Sequence, residues 1–294
     1  MKTPRRPATA APTQPCRDYR GTRIMGDLVF AGAISHAPGI AAFEHAANDK
    51  QRRMFFAAAD VLKLRLEEAK PDVLVVIAPD HFSNFFIENM PAACVTLNQV
   101  YTGPVEDWLG IPKVSVDGNP EFARSILARA FEDDIEPSFS EGMALEHGVV
   151  VALKLVTPEF NVPIVWIMQN CQVPPMLSLR RCYAFGRSIR HAIDRSDLRV
   201  GVLGTGGLSH SPGAPEADEL DPEFDRHFMA LLDRNAIDEI VNLPNDRIDA
   251  AGFGTWEIRQ WITALGIAHD RKPRALAYEP IVEWDTGCGA AIYE

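Results

Sequence analysis

The stretch Asp72-Val73-Leu74-Val75-Val76-Ile77-Ala78-Pro79-Asp80-His81 holds the key to the fold. Five consecutive branched residues, Val73 to Ile77, leave no polar position for a solvated face, so the pattern predicts a strand buried on both sides. Strands of that kind belong to parallel sheets covered by helices, and Pro79-Asp80 marks where this one stops. His81 stands just beyond its end.

On either side, the same grammar repeats. Asp27 to Ile34, Ala92 to Leu97, Val162 to Met168 and Arg199 to Leu203 are short runs rich in Val, Ile and Leu, bounded by turn residues, and read as strands. Helical spacing recurs between them over Lys50 to Ala69, Pro120 to Phe131, Leu179 to Asp194 and Pro222 to Arg234, with Pro120 and Pro222 suited to a first helical turn. The alternation predicts one α/β domain over residues 25–294, with a central, mostly parallel or mixed sheet flanked by helices on both faces. Residues 1–24, with Pro4, Pro7, Pro12 and Pro15 among Arg, Ala and Thr, offer almost nothing to bury and predict a disordered extension. The alternative is an over-long start assignment, with Met25, where the apolar sequence begins, as the true initiator.

Composition narrows the function. Of 294 residues, 47% are hydrophobic and 23% charged, the balance of a globular protein with a large core. The net charge of -11 and the lack of any long basic run argue against a nucleic-acid partner. No apolar run approaches the roughly 20 residues that span a bilayer, so no membrane role is expected. Five scattered cysteines, Cys16, Cys94, Cys171, Cys182 and Cys288, form no CxxC pair and suggest reduced thiols in a cytoplasmic protein.

Three histidines follow predicted strand ends: Ile34-Ser35-His36, Pro79-Asp80-His81 and Leu208-Ser209-His210. In an open α/β sheet the carboxyl ends of the strands line the ligand crevice, so imidazoles at three such ends suggest a metal site. Asp80 alternates with His81 and points the other way if the strand persists. The preferred carboxylate is Glu257, in Thr255-Trp256-Glu257-Ile258-Arg259-Gln260-Trp261-Ile262, at the edge of an apolar stripe formed by Ile258, Trp261, Ile262 and Leu265. There it is either a first-turn residue favoured by the helix dipole or a ligand reaching inward. Two histidines and a carboxylate suit Fe(II) oxygen chemistry, and zinc takes the same ligands in hydrolases.

His210 closes Gly204-Thr205-Gly206-Gly207-Leu208-Ser209-His210, which is neither a dinucleotide fingerprint nor a nucleophile elbow. A histidine on such a glycine-rich loop suits general acid/base work. His147, in Glu146-His147-Gly148, either faces the crevice or caps the following helix, and the residues alone favour the cap. His45, His191, His227 and His269 read as surface residues.

Taken together, these segments resemble the class III extradiol ring-cleaving dioxygenases, most closely the catalytic β subunits of the protocatechuate 4,5-dioxygenase type. The resemblance is carried by Ser35-His36-Ala37-Pro38, Pro79-Asp80-His81, Glu146-His147-Gly148, the Gly204 to His210 loop, Glu223-Phe224-Asp225, Arg181 to Arg190 and the helix around Glu257, and it spans Met25 to Glu294. It implies Fe(II) held by His36, His81 and Glu257, with His210 as catalytic acid/base and His147 as a second pocket histidine. It also implies a catechol-type, possibly carboxylated, substrate and O2, in aromatic-compound catabolism. Tyr278 to Gly289 resembles the propionate-type catechol dioxygenases of the class more than the protocatechuate type, which leaves the substrate open. The small α subunit that closes the protocatechuate site has no counterpart in this chain, so a separate subunit or a homo-oligomer is expected. A zinc hydrolase and a non-catalytic relative of the same fold are the alternatives.

Overall fold

The computed structural model of the chain describes residues 25–214 and 219–294, and the extension expected at 1–24 lies outside the described residues. The described residues form ten strands: β1 (Asp27–Ile34), β2 (Val73–Ala78), β3 (Ala93–Thr96), β4 (Val100–Gly103), β5 (Val114–Asp117), β6 (Ser138–Ser140), β7 (Ile164–Gln169), β8 (Arg199–Thr205), β9 (Pro273–Ile281) and β10 (Thr286–Tyr293). The helices are α1 (Gly39–Ala42), α2 (Asp49–Ala69), α3 (Pro120–Glu132), α4 (His147–Val156), α5 (Leu179–Arg195), α6 (Pro222–Asp233), α7 (Ile237–Ile240), α8 (Asn245–Ala250) and α9 (Ile258–Ile267). Eight strands make one mixed sheet in the order β6-β3-β7-β2-β8-β1-β10-β9, and β4 and β5 pair separately.

The centre of the sheet is parallel, with β2 bonded to β7 on one side and β8 on the other, and β8 bonded in turn to β1. All six residues of β2 are buried, as its unbroken apolar run predicts. Val73, Val75 and Ile77 enter the layer beneath α3, α5 and α9, where Phe122, Phe185 and Trp261 lie. Leu74, Val76 and Ala78 enter the opposite layer with Phe55 and Leu62 of α2 and Val150 of α4. Full burial of each large aliphatic side chain contributes about 1.5–3 kcal/mol, so this short strand is a main anchor of both layers.

Helix starts follow local chemistry. The side chains of Asn48, Asn119, Ser178 and Asp221 each accept a hydrogen bond from an orphan N–H in the first turn of α2, α3, α5 and α6. Caps of this kind contribute about 1 kcal/mol each and set where the helices begin. α9 differs from expectation: it is buried all round, so its amphipathic stripe is only part of what it packs. The C-terminal strands also go beyond what the sequence pattern predicts. β10 is buried along its whole length and rich in Gly and Ala, so it carries no alternation, and β9 is an edge strand that tolerates Pro280. Among the described residues no helix is long and apolar enough to cross a membrane.

Candidate metal centre

Adjacent parallel strands bring the chemistry together. Ile34 of β1 lies beside Thr205 of β8, and Gly204 lies beside Ile77 of β2, so the chain leaving each strand end enters the same crevice. His36 and His81 follow β1 and β2, while Thr205 closes β8 and leads into the loop that ends at His210. After His81 the chain turns sharply through Phe82 at φ 55, a left-handed conformation that costs a bulky residue on the order of 1–2 kcal/mol. Asp80 serves that turn, accepting from the backbone N–H groups of Asn84 and Phe85 and from the Asn84 amide.

His36 is 2% exposed, and its Nδ1 lies 2.9 Å from the Thr205 hydroxyl. That hydroxyl donates to the Gly148 carbonyl at 3.0 Å, so it accepts from His36 Nδ1–H. The tautomer is thereby fixed, and the Nε2 lone pair faces Glu257 Oε2 at 3.5 Å. Burial holds the imidazole below its ordinary pKa despite the nearby Glu257 charge, which keeps it neutral. A lone pair facing a carboxylate oxygen at this distance is satisfied by a cation between them.

His81 is gripped at both nitrogens. Nδ1 donates to Glu146 Oε2 at 2.7 Å, and Nε2 lies 3.0 Å from Glu257 Oε1. Burial opposes its charge, but the Glu146 and Glu257 carboxylates raise it well above the ordinary histidine value. The same contacts act in reverse on the acids. Burial would raise Glu146, yet the His81 and His147 imidazoles hold it at about 2. Glu257 likewise stays well below the usual carboxylate range because His36 and His81 outweigh its burial. Positive charge at the His81 Nε2 position is what two buried carboxylates require, and a metal ion supplies it in place of a proton.

Glu257 ends the 3-10 turn Phe253–Glu257 at the head of α9, and its Oε2 accepts from the Gly207 N–H at 2.7 Å. The crossing is close. Gly206 has φ 140, and a Cβ there would sit 2.8 Å from the Glu257 Cβ, so only glycine fits.

His147 opens α4 with no side-chain cap; its Nδ1 bonds Glu106 Oε1 at 2.7 Å and its ring lines the cavity. The helix-cap reading favoured by the residues alone therefore gives way to the pocket reading. His36, His81 and His147 present ligand atoms within 4.8 Å of one another. Their carboxylate partners separate them. His147 Nδ1 lies 2.7 Å from Glu106 Oε1 and 3.2 Å from Glu146 Oε2, whereas Glu257 faces Nε2 of His36 at 3.5 Å and Nε2 of His81 at 3.0 Å. Glu257, touching both of the latter, is the better third donor.

His210 Nδ1 donates to the Leu208 carbonyl at 2.8 Å, which leaves Nε2 as a lone-pair acceptor 3.9 Å from Glu257 Oε2. The ring packs over Gly254, where a Cβ would come within 2.3 Å of Nε2, and Gly254 N–H donates to the His210 carbonyl. The five residues singled out from sequence thus line one cavity of about 210 Å³, walled also by Pro38, Trp108, Pro212 and Trp284. Composition and periodicity gave no hint of Thr205, Glu106 or the two tryptophans. For Thr205 the one signal was its place in the glycine-rich loop that ends at His210.

Comparison with known proteins bears on this geometry. A family described as the catalytic LigB subunit of aromatic ring-opening dioxygenase matches residues 31–289. A 2,3-dihydroxyphenylpropionate/2,3-dihydroxicinnamic acid 1,2-dioxygenase of Burkholderia vietnamiensis is 29% identical, covering 77% of this chain and 85% of its own. The protein of the same name from Photorhabdus laumondii is 31% identical over 86% of this chain and 93% of its own. Among solved structures, an uncharacterized protein of Escherichia coli K12 shares the fold at a TM-score of 0.53 and 13% identity, covering 90% of this chain.

Proposed function

Because the chain belongs to the LigB family of aromatic ring-opening dioxygenases, we propose that it is an Fe(II)-dependent extradiol enzyme whose ion is held by His36, His81 and Glu257. The observation that carries this reading is the meeting of two neutral-capable Nε2 atoms and one carboxylate at 3.0 and 3.5 Å, each backed by an outer partner. Thr205 and Glu146 orient the two imidazoles, and the Gly207 N–H steadies Glu257. Bound iron supplies the Lewis-acid and redox chemistry through which a catecholate and O2 react, with no external reductant.

The protein groups handle protons and position. His210, with Nδ1–H committed to Leu208, would take a substrate hydroxyl proton at Nε2 and hold it there for return to a product oxygen. His147, with Nδ1 committed to Glu106, keeps Nε2 for a hydrogen bond to the substrate. Trp108, Trp284, Pro38 and Pro212 give the ring apolar walls and exclude water. At about 210 Å³ the cavity falls below the roughly 300 Å³ where ordinary small-molecule sites begin, so it suits a single substituted ring.

The substrate is therefore taken to be a catechol, with the dihydroxyphenylpropionate class named for the relatives as the first to test. Either a small closing subunit or a second copy of the chain would cover the mouth, where Trp108 is exposed, and the mass of the active species distinguishes them. Among the described residues, four unpaired buried thiols suit the reducing cytoplasm. Oxygen uptake after anaerobic Fe(II) loading, measured over dihydroxyphenylpropionate, protocatechuate, gallate and alkylcatechols, tests the proposal. One O2 consumed per ring with a coloured ring-opened product supports it, and no uptake across the panel overturns it.

A further inference from the structure

Asp225 is fully buried in the first turns of α6 and touches none of the proposed metal ligands, yet it is the hub of a tight network beside them. Its Oδ1 accepts from the Ser209 backbone N–H at 2.8 Å, and its Oδ2 accepts from the Ser209 hydroxyl at 2.6 Å and the Tyr278 hydroxyl at 2.8 Å. The Ser209 hydroxyl in turn accepts from Asp221 N–H at 2.9 Å, which commits its own proton to Asp225. The opposite side of the loop is pinned to β10, with Leu208 N–H donating to the Gly287 carbonyl and Gly287 N–H to the Ser209 carbonyl. The packing is close: a Cβ at Gly287 would lie 2.1 Å from Asp225 Oδ2, so only glycine fits beside the carboxylate.

Ser209 sits between Leu208, whose carbonyl takes the His210 Nδ1 proton, and His210 itself. We propose that Asp225 is a positioning residue for proton transfer: by clamping Ser209 from α6, it sets the Leu208 carbonyl and hence the tautomer and aim of His210 Nε2. This rests on His210 acting as the acid/base of the reaction. A carboxylate is suited to the task because it takes three donors at once. An amide in the same place accepts from the Ser209 N–H but turns an N–H group towards two hydroxyls whose protons already point inward.

The test is a cycle of variants assayed as iron-loaded enzyme with the best catechol of the panel. Asp225→Asn is expected to lower kcat by about 10- to 100-fold, the scale of an ångström-level misplacement, while iron content and KM stay within about twofold. In a His210→Phe background the same change is expected to have almost no further effect, since the residue it acts through is gone. Tyr278→Phe removes one of the three donors and is expected to give a smaller loss in kcat with the same pattern. It carries the test if the asparagine variant does not fold. Wild-type turnover in His210→Phe would refute the acid/base reading itself. An impaired His210→Phe together with unchanged kcat in Asp225→Asn and Tyr278→Phe, or an equal loss in both backgrounds, overturns the positioning role alone.

Discussion

Replacing Glu146 by glutamine isolates the charge behind His81. Among the described residues Glu146 Oε1 has no hydrogen-bond partner, so the amide group of glutamine can occupy that side while its oxygen keeps the 2.7 Å bond to His81 Nδ1. What disappears is the negative charge. Burial would raise the Glu146 carboxyl, yet the facing imidazoles bring it from 4.5 to about 2, so its attraction to the surrounding positive charge outweighs the whole cost of burying it. That attraction is divided among His81, His147 and His36, and an outer carboxylate behind a metal-bound imidazole is generally worth about a 10- to 100-fold change in metal affinity. Anaerobic Fe(II) titration against a competing chelator measures it. The variant is expected to bind iron 10- to 100-fold more weakly by that estimate and to regain much of its turnover at saturating metal. Unchanged affinity would show that the charge behind His81 does nothing for the ion and would break the chain of reasoning from Glu146 to the metal.

Two further outcomes are expected. His210→Phe should keep its iron and bind catechol while turnover falls about 10²- to 10⁴-fold, the usual weight of a general acid/base; full turnover in stopped-flow assays would remove His210 from that role. Burial pushes the Asp225 carboxyl up to about 6, against the hydrogen bonds from Ser209 and Tyr278 and with help from Asp221. A folded-state value above the unfolded 3.8 means stability that is present below about pH 4 and lost as pH rises through about 6, worth about 3 kcal/mol. Denaturant melts across that window should show this slope in the wild type and not in Asp225→Asn; identical slopes would place the titration elsewhere.

How much of this was legible beforehand depended on the physical signal each part carries. β2 was readable because burial on both faces permits only apolar residues, and His36 and His81 were readable because they follow such strands directly. β10 was not, because Gly287, Gly289, Ala290 and Ala291 have neither period nor bulk, and its burial comes from neighbours distant in sequence. Glu257 illustrates the limit of helical periodicity. The pattern placed it at the edge of a stripe, where a dipole-favoured surface acid and an inward ligand look alike, and the Gly207 N–H and the two imidazoles that settle its direction lie far away in the chain. The residues around His147 favour a cap for the same reason, since Glu106, the group that turns the ring inward, is 41 residues earlier. Thr205, a lone hydroxyl between glycines, gave no sign that it sets the tautomer of His36.

Anomalous diffraction at the iron edge, on crystals grown anaerobically with Fe(II), tests the central claim most directly. The account predicts one strong peak per chain bonded to His36 Nε2, His81 Nε2 and the Glu257 carboxylate, absent from Glu257→Ala crystals. A peak held by His147 in place of Glu257, or one that survives the alanine substitution undiminished, would contradict it.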